Sequence, residues 1–237
     1  MKKVLIIKNL EREGPGLVAD VLDAAGLDSD VVELDRGQTI PKVADYRAVV
    51  VMGGPASAND SSTIMLHELA AVEEVLAAGI PYLGICLGMQ VLVKAAGGAV
   101  QPARAKEVGF RDRSDRDFVL SVTDAGGEDP LLVGLPAHFP VFQLHGETVQ
   151  LTSDMTVLAT GHGCRNQIVR VAPGAYGLQP HVELTADLLA NWAVQDPDLQ
   201  PLGAAALARD FAAIRPSYNQ VGTRLIHNFL YVAGLIG

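Results

Sequence analysis

The chain has 237 residues, of which 49% are hydrophobic, and carries 18 Lys and Arg against 27 Asp and Glu for a formal net charge of -9. That apolar content provides for a substantial buried core, and an acidic balance with no basic run repels a phosphate backbone, which excludes nucleic acid as a partner. The apolar run at residues 4–7 stops at Lys8, and no stretch approaches the roughly 18 apolar residues that cross a bilayer, so a cytoplasmic protein without a membrane partner is expected.

In chain order, residues 4–7, 31–33, 48–52 and 81–85 read as short apolar strands, and 16–25, 62–78 and 87–96 as helices. The helix over 62–78 has Met65, Leu69, Val72 and Leu76 at three- and four-residue spacing and ends at Gly79-Ile80-Pro81. Alternation of this kind predicts an α/β fold, a three-layer, doubly wound, mostly parallel sheet with helices on both faces. From 118 to 179 a smaller strand-rich segment follows, with candidates at 119–122, 139–144, 156–159, 167–171 and 175–178. The remainder is helical, with helices over 202–214 and 218–236 and interruptions at Pro197, Pro201 and Pro216. No repeat or linker divides the chain, so a single domain over 1–237 is expected, with a helical C-terminal extension at about 196–237.

Only two cysteines occur, Cys86 and Cys164, too few for a disulfide framework, so both are read as free thiols. Residues 80–90 read Ile-Pro-Tyr-Leu-Gly-Ile-Cys-Leu-Gly-Met-Gln, a strand that runs into a glycine-flanked cysteine and then a helix. Gly84-x-Cys86-x-Gly88 has the form of a nucleophile elbow, in which small neighbours permit a sharp turn that presents the side chain at the carboxyl end of a strand. A helix N-terminus there favours thiolate. The competing reading is a small packing cysteine at an ordinary strand-helix junction. Farther along, His181-Val182-Glu183 places a base and a carboxylate two residues apart, on one side of an extended chain. A thiol nucleophile needs such a base, and the base needs a partner that fixes its tautomer.

Taken together, these segments resemble the class I glutamine amidotransferase family, most closely its free-standing members similar to the amidotransferase domain of GMP synthetase. The resemblance covers residues 1–195 and includes Val51-Met52-Gly53-Gly54-Pro55, Lys106-Glu107-Val108-Gly109 and Gln143-Leu144-His145-Gly146-Glu147. It implies a Cys86-His181-Glu183 triad, an oxyanion hole from the N–H groups of Gly54 and Leu87, and a glutamine pocket involving Gly53, Gln90 and His145. It departs from the family at the base, where Pro180-His181-Val182-Glu183 replaces the usual Phe-His-Pro-Glu and removes an aromatic from the pocket wall.

The implied reaction is hydrolysis of a γ-glutamyl amide through a γ-glutamyl thioester, releasing ammonia, with no metal or organic cofactor. No nucleotide loop for a synthetase step is present, so the chain is read either as the partner of a synthetase subunit that accepts ammonia or as a free-standing hydrolase. A γ-glutamyl peptidase is the first alternative and a non-catalytic binding module the second. Gly14-x-Gly16-x-x-Ala19 fits a dinucleotide fingerprint, but it begins several residues beyond the first strand and Glu11 and Glu13 place negative charge beside it. His162-Gly163-Cys164 lacks the second ligand pair of a metal site, and Trp192 is expected to pack the C-terminal helices onto the sheet.

Overall fold

The computed structural model describes residues 3–237. The buried apolar runs form parallel strands: β1 (Val4–Lys8), β2 (Ser29–Glu33), β3 (Ala48–Val51) and β4 (Tyr82–Ile85). They join β11 (Ala175–Leu178), which pairs parallel to β4 with Leu178 opposite Ile85. Three antiparallel additions follow, β10 (Ile168–Ala172), β9 (Thr156–Thr160) and β6 (Val119–Val122), and then β7 (His138–Pro140) at the edge. The nine-stranded order is β2-β1-β3-β4-β11-β10-β9-β6-β7.

Helices cover both faces. On one, α2 (Thr63–Ala77) and α3 (Leu87–Ala95) bury Val72, Val75, Met89 and Val93 against Leu5, Val49 and Tyr82. On the other, α1 (Leu17–Ala24), α5 (Ala186–Gln195) and α6 (Ala204–Val232) cover Ile6, Val50 and Ile85. No helix among the described residues is long and apolar enough to cross a membrane.

Four details depart from the sequence reading. Residues 99–109, expected as no element, form β5 (Ala99–Gly109), which pairs with β8 (Gln143–Gln150) in a separate two-stranded ribbon. The strand expected over 139–144 divides, because the chain leaves the main sheet after Pro140 and enters the ribbon at Gln143. The helical break expected at Pro216 is absent, and α6 runs through it. Pro216 is exposed, so the Ala212 carbonyl that its missing N–H leaves free faces water rather than the core. In α2 the fully buried stripe is Met65, Glu68, Val72 and Val75, with Leu69 and Leu76 half-buried. Of the buried Glu68 carboxyl, Oε1 accepts from Asn9 Nδ2 at 3.1 Å, which offsets part of the cost of burying it.

Candidate active site

Cys86 caps α3 at the carboxyl end of β4 with φ 51 and ψ -105, a left-handed backbone that only one other non-glycine residue, Asp115, shares among those described. Its N–H is tied to the Leu178 carbonyl at 2.7 Å, which fixes the elbow to the next strand. Such strain persists only where its surroundings over-determine it, and here the flanking glycines allow α3 to sit directly on the sheet. A Cβ on Gly88 would lie 2.3 Å from the Val51 carbonyl oxygen. The thiol is 5% exposed, faces the Leu144 carbonyl at 3.7 Å and lies 3.7 Å from Gln179 Nε2.

His181 and Glu183 follow β11 directly. Glu183 Oε1 lies 2.7 Å from His181 Nδ1, and Glu183 Oε2 accepts the Val182 N–H at 2.8 Å, so the carboxylate is held on both oxygens. With Nδ1 held by a carboxylate, Nε2 is the ring nitrogen left to exchange a proton. Burial opposes a charge on the ring, but the Glu183 carboxylate and the Cys86 thiol outweigh it and hold His181 well above the usual imidazole range. Ring and thiol converge over Gly53, whose added Cβ would lie 2.8 Å from His181 Cε1 and 3.5 Å from Cys86 Cβ.

The base segment is fastened from outside the sheet. Its N–H groups and carbonyls are used in turn: His181 N donates to Phe142 O at 3.0 Å, Tyr218 Oη on α6 donates to His181 O at 2.6 Å, and Leu17 N donates to Glu183 O at 2.9 Å. Gly16 permits the last contact, since its φ is +46 and a Cβ there would fall 2.1 Å from that same carbonyl oxygen. The dinucleotide-like Gly14-x-Gly16 therefore has a packing explanation in this chain, the close approach of α1 to Glu183. Two aromatic rings pack against the base. Trp192 packs edge-on against His181 at 4.9 Å between ring centroids and Phe142 lies at 6.2 Å.

A cavity of about 340 Å³ opens above these groups, lined among others by Gly54, Cys86, Gln90, His145 and His181. Gly54 abuts Leu87, its added Cβ meeting Leu87 Cδ2 at 3.0 Å, and Leu87 begins α3, where N–H groups lack intrahelical acceptors. Gln90 Nε2 reaches the Glu147 carbonyl and Gln179 Oε1, both at 3.4 Å. His145 is pinned on both nitrogens, to Glu147 O and to Glu107 Oε2, each at 3.0 Å. Gly53 lies beneath the dyad rather than on the cavity wall. Cys164 is apart from the site, its Sγ 3.1 Å from Thr148 Oγ1, and burial pushes its thiol up.

Sequence reasoning assigned no role to Gln179, Glu13 or Phe142, and read Trp192 only as packing. Gln179 stands two residues before the base, and Glu13 stands in the loop after a parallel strand, the end of an open α/β sheet where ligands bind. Those positions were the available signal.

A thiol, a base and a carboxylate in this relation are suited to acyl transfer, with the thiolate as nucleophile. The particular family comes from comparison. The model of the class-I glutamine amidotransferases matches residues 16–190, and the chain belongs to that family of enzymes. YfeJ, a glutamine amidotransferase-like protein of Salmonella typhimurium, is 31% identical over 157 residues, covering 64% of this chain and 63% of that protein. The glutamine-hydrolysing GMP synthase of Syntrophomonas wolfei is 31% identical over 185 residues, 77% of this chain and 33% of the synthase. The chain thus spans under two thirds of the length of these curated relatives. A glutamine amidotransferase from Methylobacillus flagellatus superposes with a TM-score of 0.86 at 25% identity, over 98% of this chain and 95% of that one. One from Thermotoga maritima has the same fold, with a TM-score of 0.84 at 24% identity and 98% of each chain covered.

Proposed function

We propose that this chain hydrolyses the side-chain amide of glutamine through a Cys86-His181-Glu183 triad. The observation that carries this reading is the convergence over Gly53 of a strained, helix-capping thiol and an imidazole whose other nitrogen is held by a buried carboxylate. His181 Nε2 takes the Cys86 proton, and the thiolate sulfur forms a bond to the amide carbon. The N–H groups of Gly54 and Leu87 hold the resulting oxyanion, each contributing ~100- to 1,000-fold in rate. The C–N bond then breaks as His181 returns its proton to the nitrogen, and ammonia leaves. Water, deprotonated by His181, cleaves the γ-glutamyl thioester and frees glutamate and the thiol. Gln90 and His145 border the γ-glutamyl part, and Glu183 keeps Nδ1 protonated throughout.

Ammonia passes either to water or to a synthetase subunit. The glutamine-hydrolysing GMP synthases among the relatives favour the second course, and this chain matches about a third of such a protein.

One observation supports a second reading, in which the amide carries a larger amine. A neighbouring cavity of about 710 Å³ shares Lys106 and Asp198 with the thiol cavity and would accept a peptide-sized leaving group. The test is to incubate the purified protein with glutamine and with a panel of γ-glutamyl amides, following ammonia, amine and glutamate. Wild type and Cys164→Ala should be active and Cys86→Ala inactive with its fold intact. Activity that survives in Cys86→Ala refutes the mechanism, and the preferred amide separates the two readings.

A further inference from the structure

Glu13 lies in the loop between β1 and α1, is 4% exposed and borders the thiol cavity. Its Oε2 is fully buried and has no hydrogen-bond partner among the described residues. Buried carboxyl oxygens are ordinarily satisfied, and nothing in the anchoring of the loop calls for one here. The loop is held by other groups: Trp192 Nε1 donates to Arg12 O at 2.8 Å, and Arg12 pairs with Asp196 at 2.5 Å. What Oε2 adjoins is the base. A Cβ on Gly53 would lie 2.3 Å from Glu13 Oε2 and 2.8 Å from His181 Cε1, so the carboxyl oxygen and the ring carbon border the same small space above Gly53.

We propose that Glu13 is a positioning residue for the thiolate-imidazolium pair, a second carboxylate beside His181 that stabilises the ring cation formed when Nε2 takes the Cys86 proton. The inference rests on the reading of Cys86 and His181 as nucleophile and base. Cε1 lies between the two ring nitrogens and shares the positive charge of an imidazolium. A carboxylate oxygen near it favours the charged ring by Coulomb attraction.

The electrostatic setting agrees. Burial raises the Glu13 carboxyl to about 7, and His181 acts against that rise; Glu183 beyond β11 and Asp196 after α5 push it up, and Arg12 in its own loop pulls it down. Coupling between two sites is mutual, so whatever a charged His181 does to favour the Glu13 carboxylate, the carboxylate does for the charged ring.

The experiment measures the pair directly, without substrate. Alkylation of Cys86 by iodoacetamide is followed across pH by mass spectrometry of the Cys86 peptide, in wild type, Glu13→Gln and Glu13→Asp, with kcat and KM for glutamine measured alongside. In wild type the reactive thiolate should persist well below the free-thiol value of about 8.5. Glu13→Gln should move the midpoint up by about one pH unit, which is a tenfold loss of alkylation rate on the acid side of the wild-type midpoint. It should lower kcat with little change in KM, leave the melting temperature no lower than that of wild type, and be partly rescued in Glu13→Asp. An unchanged midpoint in Glu13→Gln overturns the proposal, as does a rise in KM alone, which would mark Glu13 as a contact for substrate. A wild-type thiol that titrates like a free one overturns the nucleophile-base reading as well, so the two failures are distinguishable.

Discussion

Gly84→Ala adds one methyl group at the point where α3 rests on β4. The new Cβ would lie 2.4 Å from the carbonyl carbon and oxygen of Gly88 and 2.7 Å from Met89 N, where ordinary contacts begin at 3.4 Å. Relief requires α3 to retreat by about 1 Å, and no flexible side chain can absorb the shift because the clashing atoms are backbone. The helix start is also seated on β3 through Gly88 and on β11, where a Cβ on Gly177 would lie 2.5 Å from Met89 Cγ. Overpacking of this kind costs about 1–3 kcal/mol, which for a chain of this size lowers Tm by roughly 2–10 °C. Cys86 and the Leu87 N–H ride on the displaced turn, and a misplacement of about 1 Å reduces kcat/KM on the order of 100-fold. The assay is ammonia release from glutamine together with thermal unfolding by circular dichroism. Gly127→Ala serves as control, since nothing lies within 4 Å of its added Cβ. A Gly84→Ala protein within threefold of wild-type activity would refute the close seating of the elbow.

Tyr218→Phe removes the donor to His181 O at 2.6 Å and the acceptor of the Leu184 N–H at 3.3 Å, both buried. It should cost about 1–3 kcal/mol in denaturant unfolding and slow turnover by loosening the base segment; equal stability in the two proteins would mean that α6 does not hold it. Glu68→Gln should stabilise the protein in a pH-dependent way. Burial raises the Glu68 carboxyl from 4.5 to about 7 against the pull of its Asn9 bond. A carboxyl raised on folding costs nothing below its unfolded value; the cost grows as pH rises from 4.5 to about 7 and is constant above, at about 3 kcal/mol. The glutamine variant should therefore match wild type in unfolding at pH 4 and exceed it at pH 8, and an equal gain at both pH values would exclude titration of Glu68 as the cause.

The central strands were legible because β1, β3 and β4 are buried on both faces and read as unbroken apolar runs. The ribbon strand β5 was not, since seven of its eleven residues are exposed or half-buried alanine, arginine, lysine, glutamine and proline, and Pro102 sits at its register shift. Pro216 misled in the opposite direction: it sits at an exposed position, where the freed Ala212 carbonyl faces water, and α6 carries it without ending. At the site, the Gly84-x-Cys86-x-Gly88 turn and the His181/Glu183 pair announce themselves through local spacing, which the backbone converts directly into geometry. Glu13 and Trp192 carry no such signature. Each reaches the dyad through contacts between elements remote in sequence, and their relation to it exists only once α1, α5 and α6 have closed over the sheet.

The clasp between Tyr218 and the base segment also gives the site an order of assembly. The elbow is complete once β4, α3 and their neighbouring strands exist, while His181 is synthesised 95 residues after Cys86 and Tyr218 another 37 after that. During synthesis the earlier part of a chain emerges and folds first. A nascent chain therefore exposes Cys86 well before His181 is fixed, and the base segment is clasped only when α6 has been laid down across the sheet.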